Sequence, residues 1–412
     1  MKRLIDALQP GMRVFVPGLS GESALLHDEL RADPERARGV TFVGVQFPGI
    51  DRIDYLALDP TVRQTAFFMS PSVRSGLAPG RADLLSLDYP GIVRHLRAMP
   101  PVDIAMAQLT PPDRDGWCSA GLASDFVPLV WTLAKRRIAH LNPRLPRTRG
   151  TFRVHVSELD GRVEADAPPL EFAESNGGAV EARIGTHVAG FVRDGDTLQF
   201  GIGSVPSALA GALTGHRRLR VHAGMVSGAL QRLWEAGALD RDARITTGVV
   251  LGDAPFHDFA ARLEPLWLAD ASHTHDVAAI AATPRFIAIN GAVEVDLFGQ
   301  VNAERIHGAI QAGAGGLPAF AQGALASPGG RLLICVGATA RNGSVSRIVP
   351  VLGEQALCTL PRQLADVVVT EHGSAEIRHL GLDARARALI DVAAPDHRAS
   401  LAASWDAMRR TL

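Results

Sequence analysis

Two similar stretches decide the fold: Gly11-Met12-Arg13-Val14-Phe15-Val16-Pro17-Gly18 and Gly195-Asp196-Thr197-Leu198-Gln199-Phe200-Gly201. Each has a glycine turn, a short apolar strand and a glycine-containing loop. Each then runs into a helical segment carrying Ala-Leu, at Ala24-Leu25 and at Ala208-Leu209. Val14 corresponds to Leu198 and Ala24 to Ala208, so the offset is 184 residues in both cases. This is the opening βα unit of an α/β domain, seen twice, and it predicts two related α/β halves.

The composition describes a globular protein. At 412 residues the chain exceeds one ordinary core, and 47% of its residues are apolar and 21% charged. The net charge of −1 produces no overall field that favours nucleic acid or an anionic membrane. We therefore expect neither as a partner.

The cysteines and the amino terminus indicate the compartment. Cys118, Cys335 and Cys358 are far apart and form no CxxC pair, which argues against a disulfide framework or a structural zinc site. The first residues lack a signal-peptide apolar core, and no apolar stretch is long enough to span a membrane. A cytoplasmic protein is expected.

Strand and helix patterns alternate along both halves, and we predict domains at 1–176 and 177–412. The boundary is expected in the polar, glycine-containing run Glu174-Ser175-Asn176-Gly177-Gly178. A helix is predicted from Phe126 to His140, with basic residues in its last turns. The predicted strands are Val40–Val45, Asp103–Ala107, Leu219–His222, Ile245–Leu251, Phe286–Val295, Arg331–Val336 and Asp366–Thr370.

One carboxylate stands inside an apolar strand pattern. In Ala292-Val293-Glu294-Val295-Asp296-Leu297-Phe298-Gly299, the neighbours of Glu294 read as buried sheet, and Gly299 breaks the strand. An unpaired charge there is expensive to bury. Either a partner neutralises Glu294 or its chemistry is needed, and the stretch by itself leaves both interpretations open.

Two glycine clusters can present backbone donors. Gly201-Ile202-Gly203-Ser204-Val205-Pro206 resembles a dinucleotide fingerprint, but Pro206 replaces the third glycine and Val221–Met225 supplies no acidic ribose ligand. Gly313-Ala314-Gly315-Gly316 is the second cluster. Glycine lets N–H groups point at an oxyanion, although either loop could simply turn tightly.

The other reactive residues give weaker indications of function. His273 and His275 could share a strand face, but a third metal ligand with suitable spacing is not evident, so no metal is expected. Cys118 has no obvious base partner and is predicted to be a buried small residue. A serine-hydrolase elbow and a nucleotide phosphate loop are both missing from the sequence.

Taken together, these segments resemble the acetyl-CoA hydrolase/transferase family, which includes enzymes of the 4-hydroxybutyrate CoA-transferase kind, over nearly the whole chain. Glu294-Val295-Asp296-Leu297-Phe298-Gly299-Gln300-Val301-Asn302 is similar to the family's Glu-x-Asp-Leu-x-Gly-Gln-Val-Asn signature. Gly313–Gly316 resembles its Gly-Thr-Gly-Gly loop, and Val369–Arg378 resembles its Val-Thr-Glu-Tyr-Gly segment. Leu109–Gly116, Asn142–Gly150 and Ala386–Arg398 also resemble family segments.

The chain also departs from the family pattern. The family usually has Thr-Glu-Met where this chain has Ala223-Gly224-Met225, and Gln-x-Asp-Phe where it has Leu317-Pro318-Ala319-Phe320. Two polar or acidic groups expected near the acyl pocket are therefore missing. A more apolar or larger acyl group than acetate would suit these losses.

The resemblance implies two similar open α/β domains of the CoA-transferase type with the active site between them. It implies a CoA-transferase that moves coenzyme A between an acyl-CoA and a small carboxylic acid, without a metal. Glu294 is the implied catalytic nucleophile, passing through an acyl-glutamyl anhydride and a glutamyl-CoA thioester. The implied oxyanion or CoA-binding residues are Gly201, Gly203, Gly313, Gly315, Gly316 and Gly373. Asn290, Gln300 and Asn302 could orient the glutamate or the acyl oxygen, or could serve strand and turn hydrogen bonding instead.

Three further points remain open from the sequence. Asp296 would share the face of Glu294 if the strand is regular, unless the turn at Leu297–Gly299 directs it elsewhere. Arg331 could meet a CoA phosphate or lie in solvent. An acyl-CoA hydrolase that uses the same glutamate and a non-catalytic CoA-binding module are the alternative functions, and a homodimer is expected by family analogy.

Overall fold

A computed structural model describes residues 1–175, 177–306 and 308–412 of the chain. The chain forms two compact units. The first contains residues 1–173, 245–274 and 311–313, and the second contains residues 174–244, 275–310 and 314–412. The chain therefore leaves the second unit twice to complete the first. The boundary expected at 176/177 stays a prediction, and Asn176 lies outside the described residues.

The first unit is built on a seven-stranded parallel sheet. In spatial order its strands are Ala82–Leu84, Arg63–Ala66, Thr41–Val43, Arg13–Phe15, Ile104–Leu109, Arg136–Leu141 and Gly161–Glu164. Every residue of Ile104–Leu109 is buried, as expected for a central parallel strand covered on both faces.

Helices and short strands complete this unit. Its helices are Ala24–Ala32, Pro71–Leu77, Tyr89–Ala98, Val127–Trp131, Ala254–Arg262 and Ala271–Thr274. Its further strands are Trp117–Ser119, Arg153–His155, Ile245–Thr247, Val249–Val250 and Leu266–Leu268, and single 3-10 turns are Leu4–Ala7, Leu19–Gly21, Pro34–Ala37, Tyr55–Ala57 and Val156–Glu158. Several helices begin at a side-chain cap: Ser23 accepts a hydrogen bond from the Leu26 N–H, and Asp253 accepts one from the Phe256 N–H.

The second unit contains a six-stranded sheet. In spatial order its strands are Arg220–Val221, Thr197–Phe200, Phe286–Gly291, Arg331–Cys335, Val367–Thr370 and Gly373–Glu376. Five of them are parallel, and only the last pairs antiparallel. The helices of this unit are Ala179–Ala189, Ser204–Ala212, Gly228–Glu235, Val277–Ala281, Leu317–Ala326, Leu382–Asp391 and Pro395–Met408, with a 3-10 turn at Arg362–Leu364.

A small three-stranded sheet, here called the glutamate sheet, lies in the same unit. Its central strand is Glu294–Asp296, which pairs antiparallel with Val301–Asn302 and parallel with Ile348–Val349. Two short hairpins adjoin it in sequence, Arg305–Ile306 with Ala309–Ile310 and Thr339–Ala340 with Val345–Ser346. The remaining short strand is Met225–Val226.

The prediction of two α/β halves is confirmed. The two matched openings form the strands Arg13–Phe15 and Thr197–Phe200, each parallel to its neighbours and each followed by a helix. Within the described ranges, no helix is both long and apolar enough to cross a membrane.

Four local predictions were wrong. The single strand predicted over Ile245–Leu251 is two strands, Ile245–Thr247 and Val249–Val250, which belong to different sheets. The helix predicted from Phe126 to His140 ends at Trp131, and Arg136–Leu141 is instead a strand whose last four residues are buried. His273 lies in the helix Ala271–Thr274 and not on a strand. The strand predicted over Phe286–Val295 is two strands, because the chain leaves the large sheet after Gly291 and enters the glutamate sheet at Glu294.

Candidate active site

The carboxyl edge of the second sheet gathers the segments singled out by the sequence. Phe286–Gly291 leads into Glu294, and the adjacent parallel strand Thr197–Phe200 leads into Gly201 and Gly203. Neighbouring strands lie about 4.8 Å apart, so these segments begin close together. Ligands of open α/β sheets bind outside this edge of the strands.

Glu294 begins the central strand of the glutamate sheet and is half-buried. Its Oε1 atom accepts a hydrogen bond of 2.9 Å from the side-chain amide of Asn302, its cross-strand partner. Within the described part of the chain, Glu294 forms no ion pair with Lys, Arg or His. Among the residues that the structure describes, Glu294 is therefore a carboxylate without a neutralising ion pair.

Asn302 is itself rigidly held. It is fully buried, and its Nδ2 atom donates to the Arg305 carbonyl at 2.7 Å as well as to Glu294. Its Oδ1 atom accepts the backbone N–H groups of Glu304 and Arg305 at 3.1 and 3.0 Å. Both amide hydrogens and the amide oxygen are thus used, which fixes the side chain that holds Glu294.

Glu294 lines a cleft of about 370 Å³, here called the glutamate cleft. The wall is largely small or apolar, with two guanidinium groups from Arg305 and Arg347. The full set of lining residues is Ala292, Val293, Glu294, Arg305, Ile306, Ala340, Val345, Ser346, Arg347, Gly353, Gln355 and Ala356. Such a cleft admits a small acyl group beside the carboxylate.

Asp296 belongs to the turn rather than to the cleft. It is fully buried and accepts the N–H groups of Phe298, Gln300 and Leu352 together with the side-chain amide of Gln300. Gly299 completes the turn at φ 89°, with its N–H donating to the Asp296 carbonyl. The second carboxylate of the motif thus fixes the bend that follows the glutamate strand.

The three predicted orienting residues have different hydrogen-bond partners in the structure. Asn302 contacts Glu294, whereas Gln300 donates to Asp296 at 2.7 Å. Asn290 donates to Gln199 at 2.9 Å and so links two strands near the edge of the large sheet. Only Asn302 is therefore placed to orient the glutamate directly.

The six predicted glycines differ in their surroundings. A Cβ at Gly201 or Gly203 would meet nothing within 4 Å, and Gly203 has φ 109°. At Gly313 a Cβ would lie 2.6 Å from the Phe67 carbonyl oxygen, so the missing side chain has a packing reason. Gly315 and Gly373 have φ values of 59° and 146°. None of these six described glycines lines the glutamate cleft.

Gly224, where the chain departs from the family pattern, lies beside the buried side chain of His275. A Cβ at Gly224 would lie 2.8 Å from Cε1 of His275, and a Cβ at Gly316 would lie 2.5 Å from its Nε2. The ring also packs on Phe320 with centroids 4.7 Å apart. Burial, followed by the nearby His222, lowers the pKa of His275 to about 3, so the imidazole is neutral.

Arg331 forms ion pairs at the end of the large sheet that is opposite to Glu294. It begins Arg331–Cys335 at the amino edge of the sheet, opposite the edge that leads to Glu294. Its guanidinium donates to Asp366 at 2.8 and 3.2 Å and to Glu376 at 2.8 Å. Burial lowers the pKa of Arg331, but these two carboxylates outweigh it and raise the pKa above its ordinary value. Arg331 is therefore held by two carboxylates, and its contact with a CoA phosphate stays a prediction.

Arg347 is a site residue that the sequence analysis missed. The register pairs Val295 with Ile348, and continuing it by one residue places Arg347 opposite Glu294. Its carbonyl accepts the Val295 N–H at 2.9 Å, and both side chains line the glutamate cleft. The signal was available: Arg347 is a lone charge before Ile348-Val349, just as Glu294 is a lone charge before Val295.

Cysteines and metal-binding clusters do not contribute to this site. Cys118 is buried, as predicted, and its pKa is raised by burial. Cys335 is also buried, with its pKa raised to about 12 for the same reason. Among the residues that the structure describes, no group of three or more His, Cys, Asp or Glu side chains could hold a metal ion.

Comparison with known proteins identifies the class. The family profiles of the acetyl-CoA hydrolase/transferase N-terminal and C-terminal domains match residues 1–173 and 252–405. The chain therefore belongs to the acetyl-CoA hydrolase/transferase family, as the motifs suggested.

Individual relatives agree with this assignment. The chain is 32% identical to the 4-hydroxybutyrate coenzyme A transferase of Clostridium kluyveri over 97% of this chain and 95% of that protein. It is also 32% identical to the succinyl-CoA:cyclohexane-1-carboxylate CoA transferase of Geobacter metallireducens, covering 87% and 84% of the two chains. The crystal structure of RipA from Yersinia pestis has the same fold, with a TM-score of 0.90 at 24% identity over 99% and 97% of the chains. The protein is accordingly an enzyme of the CoA-transferase type.

Proposed function

We propose that the protein transfers coenzyme A between an acyl-CoA and a free carboxylic acid, with Glu294 as the nucleophile. The observation that carries this proposal is a carboxylate that lines a cleft, is held at one oxygen by Asn302 and has no ion-pair partner among the described residues. Because Oε1 is occupied by the amide, Oε2 is the oxygen left for attack. Membership of the family and the activities of the relatives named above support the same reaction.

The first half of the reaction forms the enzyme thioester. Oε2 of Glu294 attacks the thioester carbonyl, the carbon–sulfur bond breaks, and CoA leaves as a thiolate to give an acyl-glutamyl anhydride. The thiolate then attacks the Glu294 side-chain carbonyl and the first acid leaves as a carboxylate. The product is a glutamyl-CoA thioester.

The second half repeats these steps with the incoming acid. Its carboxylate attacks the glutamyl thioester, releases the CoA thiolate and forms a new anhydride. The thiolate attacks the new acyl carbonyl, which yields the new acyl-CoA and restores the Glu294 carboxylate. Contacts with the CoA portion remote from the sulfur can offset the energy of the anhydride.

Each carbonyl attack generates an oxyanion. Backbone N–H groups aimed at it would contribute about 3–4 kcal/mol per donor. Gly201 and Gly203 are our preferred candidates, since they lie in the loop after the strand beside the one that leads to Glu294, and a Cβ at either would meet nothing within 4 Å. Gly313, Gly315, Gly316 and Gly373 remain within the proposal as further donors or CoA contacts.

Trapping the covalent intermediate tests the proposal. The protein is incubated with an acyl-CoA, treated with borohydride or hydroxylamine, and digested for mass spectrometry. We expect modification at Glu294 alone, and its loss in Glu294→Gln. Glu304→Gln serves as the matched control, because Glu304 is a nearby glutamate outside the cleft lining. Modification at another residue, or full transfer by Glu294→Gln, would refute the assignment.

The trapping reaction also separates the transferase from its alternatives. A hydrolase would show the same modified glutamate but would release free thiol at a rate independent of added carboxylic acid. A CoA-binding module would show stabilisation by CoA without any modification. A homodimer and a cytoplasmic location belong to the same proposal and rest on the resemblance and on the cysteine usage.

A further inference from the structure

We infer that Arg347 binds the reacting carboxylate of the acid substrate beside Glu294. This inference rests on the proposed function, since it assigns the binding site of the acid that takes coenzyme A from Glu294. It starts from the register of the glutamate sheet, in which Asn302, Glu294 and Arg347 are successive neighbours across three strands.

Across the glutamate sheet, Glu294 has a different side chain on each of its two sides. Asn302 is antiparallel to Glu294 and binds its Oε1 atom. Arg347 is on the parallel side, about 4.8 Å away at the backbone if the spacing is that of ordinary strands. Side chains that face each other in a sheet point to the same side, and both Glu294 and Arg347 line the glutamate cleft.

The Arg347 guanidinium is available to a ligand. Among the described residues its side chain makes no hydrogen bond and no ion pair, although Glu294 is its cross-strand neighbour. Its backbone is nevertheless fixed on both sides, since its N–H donates to Ala338 and its carbonyl accepts from Val295, both at 2.9 Å. The other cleft arginine, Arg305, already donates its Nε–H to the Gly308 carbonyl at 2.8 Å.

The chemistry of the site favours a carboxylate as the ligand. A guanidinium forms strong, directed hydrogen bonds to carboxylate and phosphate oxygens, so either the acid or a CoA phosphate could satisfy it. The CoA phosphates are separated from the sulfur by the whole pantetheine arm. Arg347 is adjacent to the carboxylate that the sulfur must reach, so the anion within its range is the reacting acid.

Binding there would serve both halves of the reaction. Arg347 can hold one oxygen of the incoming carboxylate while the other attacks the glutamyl-CoA carbonyl. In the reverse direction it receives the carboxylate that leaves the anhydride. Water carries no charge, so hydrolysis of the glutamyl-CoA thioester has no need of this guanidinium.

Steady-state kinetics of Arg347→Gln test the inference. We expect the KM for the carboxylic acid to rise about tenfold or more and the KM for acyl-CoA to stay within about twofold, the tenfold change corresponding to ~1.4 kcal/mol of binding. Any acid-independent thiol release by the unmodified protein should be unchanged in the variant, and Glu294 should still be trapped by hydroxylamine. Arg347→Lys, which keeps the charge, should recover part of the affinity for the acid.

A control variant and three possible outcomes distinguish failure of this inference from failure of the proposed function. Arg341→Gln removes a guanidinium from the turn of the adjoining hairpin, outside the cleft, and it should leave both KM values unchanged. A rise in the KM for acyl-CoA that disappears with an acyl-pantetheine substrate would assign Arg347 to a CoA phosphate and overturn the inference. An unchanged KM for the acid, with Glu294 still trapped, would overturn it while leaving the proposed function intact. Failure to trap Glu294 in the unmodified protein would instead remove the proposed function.

Discussion

Asn302 donates its side-chain amide to Oε1 of Glu294 at 2.9 Å while its own oxygen accepts two backbone N–H groups. The nucleophile is thus oriented by a residue that also holds the following turn together. This double role means that a substitution at Asn302 should affect catalysis and stability by separate routes, and the two can be measured apart.

Asn302→Ala is expected to lose both the orientation of Glu294 and the stabilisation of the following turn. The backbone N–H groups of Glu304 and Arg305 would lose their acceptor, which costs on the order of 1–3 kcal/mol of unfolding free energy. The loss of orientation at Glu294 should lower kcat by roughly ten- to a hundredfold, with little change in the KM for acyl-CoA. Urea denaturation and transferase kinetics measure these two quantities. A variant with lower stability and unaltered kcat would show that Asn302 supports only the turn.

Glu294 and Asp296 should respond oppositely to removal of their charge. Glu294→Gln keeps the shape and loses the nucleophile, so we expect activity to disappear while the melting temperature changes little. Asp296→Asn weakens the four hydrogen bonds that the buried carboxylate accepts, so unfolding free energy should fall by about 1.5–3 kcal/mol with the nucleophile still present. Calorimetry and intermediate trapping on the same two proteins check the contrast. Equal losses of activity without loss of stability in Asp296→Asn would contradict it.

The sequence predicted the elements whose signals are local. Glycine turns followed by short apolar runs indicated both halves, because the βα unit repeats along the chain. The single helix predicted over Phe126–His140 was wrong. Leu129, Val130 and Trp131 belong to a helix, whereas Ile138 and Ala139 are buried in a strand of the seven-stranded sheet. Apolar residues fit either element, and the sheet neighbours that decide between them lie far away in sequence.

Pairings between distant segments could not be predicted. Glu294 was identified from one charge among apolar residues and from the resemblance, but its neighbour Arg347 depends on the register of a strand more than fifty residues later. The partner of Asn290 is likewise distant in sequence, since Gln199 lies on a strand 91 residues earlier. The resemblance supplied motif positions, and only the structure separated Asn302 from the other two amides.

Asp125 provides a prediction about pH. Burial, followed by the nearby Asp51 and Asp270, raises the pKa of Asp125 from its ordinary value of 3.8 to about 8. Since the folded state holds the proton more tightly than the unfolded chain, this group contributes stability below pH 3.8 that is lost as the pH rises through about 8. Asp125→Asn should therefore gain stability over the unmodified protein on the order of a few kcal/mol between about pH 5 and pH 8.

Denaturation at several pH values measures this difference. Asp125 has φ 38°, a conformation that asparagine accepts as readily as aspartate, so the substitution adds no backbone strain. Asp51, whose pKa is raised to about 7 mainly by burial, should leave a residual slope of the same sign in the variant. Asp242→Asn, at an exposed position, is the control and should leave the pH profile unchanged. A difference between Asp125→Asn and the unmodified protein that does not vary with pH would contradict the prediction.

Gly224 and His275 should be energetically coupled. A Cβ at Gly224 would lie 2.8 Å from a ring atom of His275, and the ring cannot easily retreat because Gly316 and Phe320 pack against it. Gly224→Ala should therefore lower unfolding free energy by about 1–3 kcal/mol, as overpacking does. In the His275→Ala background the same substitution should cost much less, giving a coupling energy on the order of 0.5–3 kcal/mol. Gly215→Ala, where a Cβ meets nothing within 4 Å, is the control. Additive losses in the double variant would show that the imidazole does not fill the space beside Gly224, and the departure from the family's glutamate at this position would need another cause.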